Sequence, residues 1–136
     1  MGNNWVHNGH INSAFYAAES KTYTGPWKCW LDAESATKLA CRVLKRMGEE
    51  PVDIRLLTGT DHMAGDGSIW LASFRIRLFD LCHEIAHIIH ERGLGHSPRD
   101  GHDLVMWNLV ALVTCVMSDV LDSKRLRLSE LRVYGE

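Results

Sequence analysis

No two of the four cysteines, Cys29, Cys41, Cys82 and Cys115, make a CxxC pair, and they lie far apart along the chain. That spacing argues against a disulfide framework and against a thiolate zinc site, and reads as buried free thiols in a reducing cytoplasm. A basic excess is also missing. Fifteen Lys and Arg against seventeen Asp and Glu leave a formal net charge of −2 with neutral histidines, so electrostatic binding to nucleic acid is not expected. The longest apolar stretch, Leu104–Met117, is interrupted by Asn108 and Thr114 and reads as too short to span a bilayer. The opening residues MGNNWVHNGHINSAF carry neither a basic nor an apolar leader region, and Val6 stands where a myristoylation signal prefers Ser or Thr. Repeats and linkers are lacking as well. The expectation is one domain over residues 1–136, cytoplasmic, with no membrane or nucleic-acid partner and an oligomeric state that the sequence does not express.

The chain itself reads as a mixture of helices and short strands. Residues 1–12 are rich in Asn, Gly and His and read as a mobile arm, with His7 and His10 as solvent-exposed tail residues. SAFYAAESKTYT (13–24) is ambiguous between helix and strand, and TGPWKCW reads as a turn that places Trp27 and Trp30 as a lid on the core. A helix is predicted over 33–47. Asp32 caps it, Glu34 suits its first turn, Gly48 ends it, and Ala36, Leu39, Ala40, Val43, Leu44 and Met47 share one face. VDIRLLT (52–58) reads as a strand, TDHMAGDG as a loop, and SIWLAS (68–73) as a strand at a sheet edge or in a hairpin. A second helix is predicted from Phe74 to Arg92, stopped by Gly93, with Leu78, Leu81, Cys82, Ile85, Ile88 and Ile89 as its apolar face. GLGHSPRDGH (93–102) is a loop. A long apolar helix follows over about 103–121, its stripe of Leu104, Trp107, Val110, Ala111, Val120 and Leu121 reading as core. A last short helix is expected in the tail.

What the chain does have is histidine, eight in all, five of them within LCHEIAHIIHERGLGHSPRDGH (81–102). His83-Glu84-Ile85-Ala86-His87 is an HExxH sequence on a predicted helix. Residues four apart lie about 40° apart in rotation and about 6 Å apart along the axis, so both imidazoles reach one ion from one face. Zinc held by three protein ligands keeps a fourth position for water and lowers that water's pKa towards neutrality. Glu84 follows the first histidine and is aimed at that water, where it can take the proton and pass it to a leaving group. Shuffling this composition yields the pattern about once in forty times, so its mid-helix setting counts as part of the signal. The plain reading of the same residues is a solvated or core-satisfied His/Glu face.

A third ligand has to come from elsewhere. His90 shares the stripe, but His83 and His90 are about 10.5 Å apart along the axis, too far for one ion. His90 therefore reads as a support or a substrate contact. The longer HExxHxxGxxH pattern fails, since position 90 is His and position 93 is Gly. His102 has nine residues beyond the helix stop in which to turn back, and it sits at the start of a rigid helix. His96 has less reach. Asp100 and Asp103 remain as oxygen ligands, and Asp103 can equally cap the next helix or orient a ligand imidazole. Tyr134, Tyr16 and a protonated His90 are candidates to stabilise an oxyanion. Trp70, on the strand 68–73, either lines a specificity pocket beside a substrate added to that strand or is ordinary core.

An edge strand, HEIAH on a helix, a Gly-rich loop and a histidine opening a final apolar helix resemble the minimal zincin metallopeptidases. The chain looks most similar to small HExxH metallohydrolases of mycobacteria and their phages, and more distantly to SprT-like peptidases. FYAAES (15–20) resembles that group's N-terminal motif, HEIAHIIH its active-site helix, and LRVYGE (131–136) its C-terminal end. The resemblance implies an α+β zincin-like fold, with a small sheet whose edge strand packs on the HExxH helix. It implies His83 and His87 as zinc ligands and Glu84 as the base. The third ligand of the group stands in an HGPxF-type motif, whose place is taken here by His102-Asp103-Leu104-Val105-Met106, without Gly, Pro or Phe.

The expectation is therefore a zinc metallopeptidase holding one Zn²⁺ per chain at His83, His87 and His102, with Glu84 activating the zinc-bound water against a peptide or protein substrate. The alternative is a binding or scaffold protein in which the same region, joined by His96 or Asp100, closes around a structural metal.

Overall fold

A computed structural model of the chain describes residues 13–19, 21, 24–56, 63–65, 68–71, 75–95, 103–122 and 133–134. The architecture is α+β. In chain order the elements are helix α1 (13–19), a 3-10 turn Gly25–Lys28, strand β1 (Trp30–Asp32), helix α2 (Ala33–Arg46), strands β2 (Asp53–Leu56), β3 (Met63–Gly65), β4 (Ser68–Leu71) and β5 (Arg75–Arg77), helices α3 (Leu78–Leu94) and α4 (Leu104–Asp122), and strand β6 (Val133–Tyr134). The ambiguous segment at 13–24 is thus helical in its first half. The proposed arm 1–12 and the loop residues 96–102 lie outside the described residues.

Helix α2 forms where its periodicity predicts. Asp32 accepts a hydrogen bond from the Ser35 amide at 2.8 Å, and Gly48 takes the left-handed conformation (φ 74°) that ends the helix. Ala36, Leu39, Ala40, Val43 and Leu44 are fully buried. Helix α3 buries Leu78, Leu81, Cys82, Ile85 and Ile88 in the same core. It differs from the expectation at both ends. Residues 75–77 form β5 rather than a first helical turn, and the helix runs through Gly93 to Leu94. Gly93 is tolerated inside the helix at about 1 kcal/mol relative to alanine. The stop is Gly95, at φ 77°, a conformation that side chains with a Cβ avoid.

Two three-stranded sheets are present among the described residues. In one, β1 pairs antiparallel with β5 and with β6, Leu31 lying opposite both Ile76 and Val133. Arg75 and Arg77 lay their guanidinium groups over the Trp30 ring at 4.3 and 4.6 Å, a cation–π arrangement. Trp30 is therefore a strand residue rather than part of a turn. In the other sheet, β4 is central, parallel to β2 and antiparallel to β3. SIWLAS is thus not an edge strand. Its edges among the described residues are β2 and β3, and β3 lies inside the segment TDHMAGDG that reads as loop. Three-residue strands are too short to carry a period, and only their partners define them.

Helix α4 packs against α3 and α2. Met106, Trp107, Val110, Val113, Thr114, Met117 and Val120 are its buried face. Leu104 and Ala111, expected in the core, are exposed instead, as is Cys115. Apolar residues surround this helix, so the period does not select a face and the neighbouring helices do. At 19 residues α4 is also long and apolar enough by composition to cross a membrane, contrary to the shorter reading of Leu104–Met117, though 39% of it is buried inside the protein. The described end of the tail is strand β6, not helix, and residues 123–132 lie outside the described residues. Arg92 closes the base of the fold, donating to the carbonyls of Glu50 at 2.6 Å and Pro51 at 2.8 Å, which ties the end of α3 to the turn after α2.

Asp32→Ala should lower unfolding free energy by about 1 kcal/mol or more, since it frees the Ser35 amide at a buried helix start. Urea denaturation reads this directly, and an unchanged midpoint would mean that the cap contributes nothing.

Candidate metal centre

Helix α3 brings three donors together. Ligand atoms of His83, Glu84 and His87 all lie within 4.8 Å of one another. The two imidazole centroids are 4.9 Å apart with their planes 60° apart, as residues one helical turn apart should be. Both histidines are partly covered, and the Glu84 side chain is buried with its Oε2 lacking a hydrogen-bond partner among the described residues. A buried carboxylate oxygen without a partner is costly. Burial pushes the Glu84 carboxyl up to about 7, with Asp80 adding to the rise and His83 opposing it.

The residues fit a cation. Two imidazoles and a carboxylate are the donor types that zinc accepts, and a cation near Glu84 would offset the cost of its unpartnered oxygen.

The remaining candidates separate. His90 is 4% exposed, so it does not line an open substrate surface. Its Nε2 stands 3.5 Å from Asp103 Oδ1, and its Nδ1 has no partner among the described residues. Asp103 caps α4, its Oδ1 accepting from the Met106 amide at 2.8 Å. Asp103 is thus engaged by the helix start and by His90, and it is not grouped with the HExxH donors. Of the roles open to it in the sequence, capping is the one seen, and its imidazole contact is to His90 rather than to His83 or His87. His96, Asp100 and His102 lie outside the described residues. Tyr134 is in β6, opposite Trp30.

Helix α1 adds two groups from outside the HExxH sequence, Tyr16 and Glu19. The Tyr16 ring stacks on His83 at 5.9 Å and meets Trp107 edge-on at 5.0 Å. Trp107 also stands 5.5 Å from His83, and Phe15 stacks on Trp107 at 5.0 Å. The Glu19 carboxylate reaches His83, Oε2 to Nδ1 at 3.5 Å. Burial raises the Tyr16 phenol, and the Glu19 and Glu84 carboxylates raise it further, so its proton is held. Tyr16 is an oxyanion candidate from the sequence, whereas Glu19 is not assigned there; its available signal was the three-residue spacing from Tyr16, which places both on one helical face. Cys82, adjacent to His83, faces the core, and burial pushes its thiol far up, which removes it as a ligand or nucleophile.

Glu84 sets a pH dependence for the metal-free protein. Above pH 4.5 the unfolded chain loses this proton, while the folded chain keeps it to about 7. Stability therefore falls across that window and levels off above it, by on the order of 3 kcal/mol. In EDTA, Glu84→Gln should flatten the slope and melt higher than the parent at pH 8. An equal slope in the variant would mean that another group is responsible.

No protein-family model, curated protein or solved structure matches this chain.

Proposed function

We propose that the protein is a zinc-dependent hydrolase, a cytoplasmic metallopeptidase of zincin-like fold acting on peptide or protein substrates. The observation that carries the reading is the buried Glu84 side chain, its Oε2 without a hydrogen-bond partner among the described residues, grouped with the His83 and His87 imidazoles on α3. His83 and His87 are the first two ligands and His102 the third. Support for His102 comes from its neighbour. It directly precedes Asp103, whose carboxylate stands 3.5 Å from His90, one turn along α3 from His87. Zinc held there supplies a Lewis acid and brings the pKa of water from about 15.7 towards about 7.

The chain's own groups do the rest. Glu84 takes the proton of the attacking water and delivers it to the leaving amine. Tyr16 is the favoured oxyanion donor of the three candidates. It contacts a ligand imidazole, keeps its proton, and is 45% exposed and so open to a substrate. His90 is buried instead, and Tyr134 belongs to the other sheet. β4 is paired on both sides, and of the two edge strands β3 is the one packed on α3, so an extended substrate adds along β3.

Protein purified without a His tag should contain one zinc per chain. His83→Ala and His87→Ala should lose it, His102→Ala should weaken it, and His96→Ala should leave it unchanged. Glu84→Gln should keep the metal while losing roughly 10²–10⁴-fold in peptide hydrolysis. Full hydrolysis by Glu84→Gln, or a parent protein that takes up no zinc, would overturn the reading. Tyr16→Phe should lower kcat by roughly 10²-fold or more with little change in KM, as read by steady-state kinetics on a peptide the parent cleaves.

A further inference from the structure

Helix α1 is exposed along residues 13–18, yet Glu19 at its end is only 11% exposed on its side chain. A carboxylate withdrawn from water on an otherwise solvated helix is expensive unless something receives it. What receives it is His83, whose side chain is 12% exposed and whose Nδ1 is 3.5 Å from Glu19 Oε2. The imidazole is enclosed on other sides as well. Tyr16 covers one face, with the planes 19° apart, and Trp107 stands against it edge-on. The two nitrogens of an imidazole point away from each other, so a carboxylate at Nδ1 leaves Nε2 as the nitrogen that can bind a cation.

We propose that Glu19 is a positioning residue for the metal centre. Its carboxylate accepts the Nδ1–H of His83 and fixes the tautomer and ring orientation in which Nε2 carries the lone pair towards the metal. The inference rests on His83 being a ligand, as proposed above. It adds a consequence that the HExxH motif does not contain: docking of α1 and metal binding are coupled. The Glu19 contact strengthens metal binding, and by linkage the metal strengthens the hold of α3 on α1 by the same factor. The same helix carries Tyr16, so the coupling also brings the proposed oxyanion donor into place as metal is acquired.

The test is zinc affinity, measured by competition with a chromophoric chelator, for the parent, Glu19→Gln, Glu19→Ala and Glu19→Asp. Glu19→Ala should bind zinc 10–100-fold more weakly. The isosteric Glu19→Gln should fall between it and the parent, and Glu19→Asp should recover part of the loss. Zinc should raise the melting temperature of the parent more than that of Glu19→Ala, a difference that a merely structural role for Glu19 would not produce. Ring ¹⁵N chemical shifts of His83 in the metal-free protein should report the Nδ1–H tautomer in the parent and a mixture in Glu19→Ala. Tight zinc binding by the parent with equal affinity in Glu19→Ala would overturn the role of Glu19 and leave the metal site standing. A parent that binds no zinc would overturn both.

Discussion

Helix α3 has to satisfy two opposed demands on one cylinder. Leu78, Leu81, Cys82, Ile85 and Ile88 fill the core that α2, α4 and the sheets enclose. His83, Glu84 and His87 must face one another on a narrow strip of the same helix. Placing Glu84 in that strip takes a carboxylate out of water, and its raised pKa records the penalty. The rest of the structure can be understood as what keeps this strip in place. The start of α3 is tied by its Leu78 amide to the Cys29 carbonyl, its end is held by Arg92, and α4 presses Trp107 against its first histidine.

Carboxylates recur around this strip, and each has a different task set by its surroundings. Glu84 is buried, its Oε2 without a hydrogen-bond partner among the described residues. Glu19 is buried beside an imidazole nitrogen. Asp103 is half-exposed and shared between a helix cap and His90. A carboxylate beside an imidazole nitrogen restrains how that ring can turn, a restraint that the HExxH spacing alone does not supply. His90 belongs to this supporting set. It is too far along the axis to join His83 on one ion, and its pairing with Asp103 links the end of the HExxH helix to the start of α4.

Elements with a long period were legible from residues alone. Helix α2 and the body of α3 lie close to where their apolar spacing predicts, and the HExxH donors cluster as their i and i+4 positions require. Elements shorter than one period were not. β1, β3 and β5 are three residues each, and nothing local distinguishes them from loop. The centrality of β4 is a property of its two neighbours. Gly93 and Gly95 are the same residue type two positions apart, and only the backbone conformation decides which one ends the helix.

The amino-acid sequence by itself determined the chemistry on offer: two imidazoles and a carboxylate at helical spacing, with no CxxC pair and no basic excess. This followed because side-chain identity and the pitch of one helix are local properties. Tertiary structure alone decided which groups surround those donors. That α1 delivers Tyr16 and Glu19 to His83, that Trp107 rather than Leu104 turns inward from α4, and that β4 lies between β2 and β3 all depend on contacts between residues far apart in the chain. Such contacts are selected by the shape of the shared core and leave no period in the sequence to read.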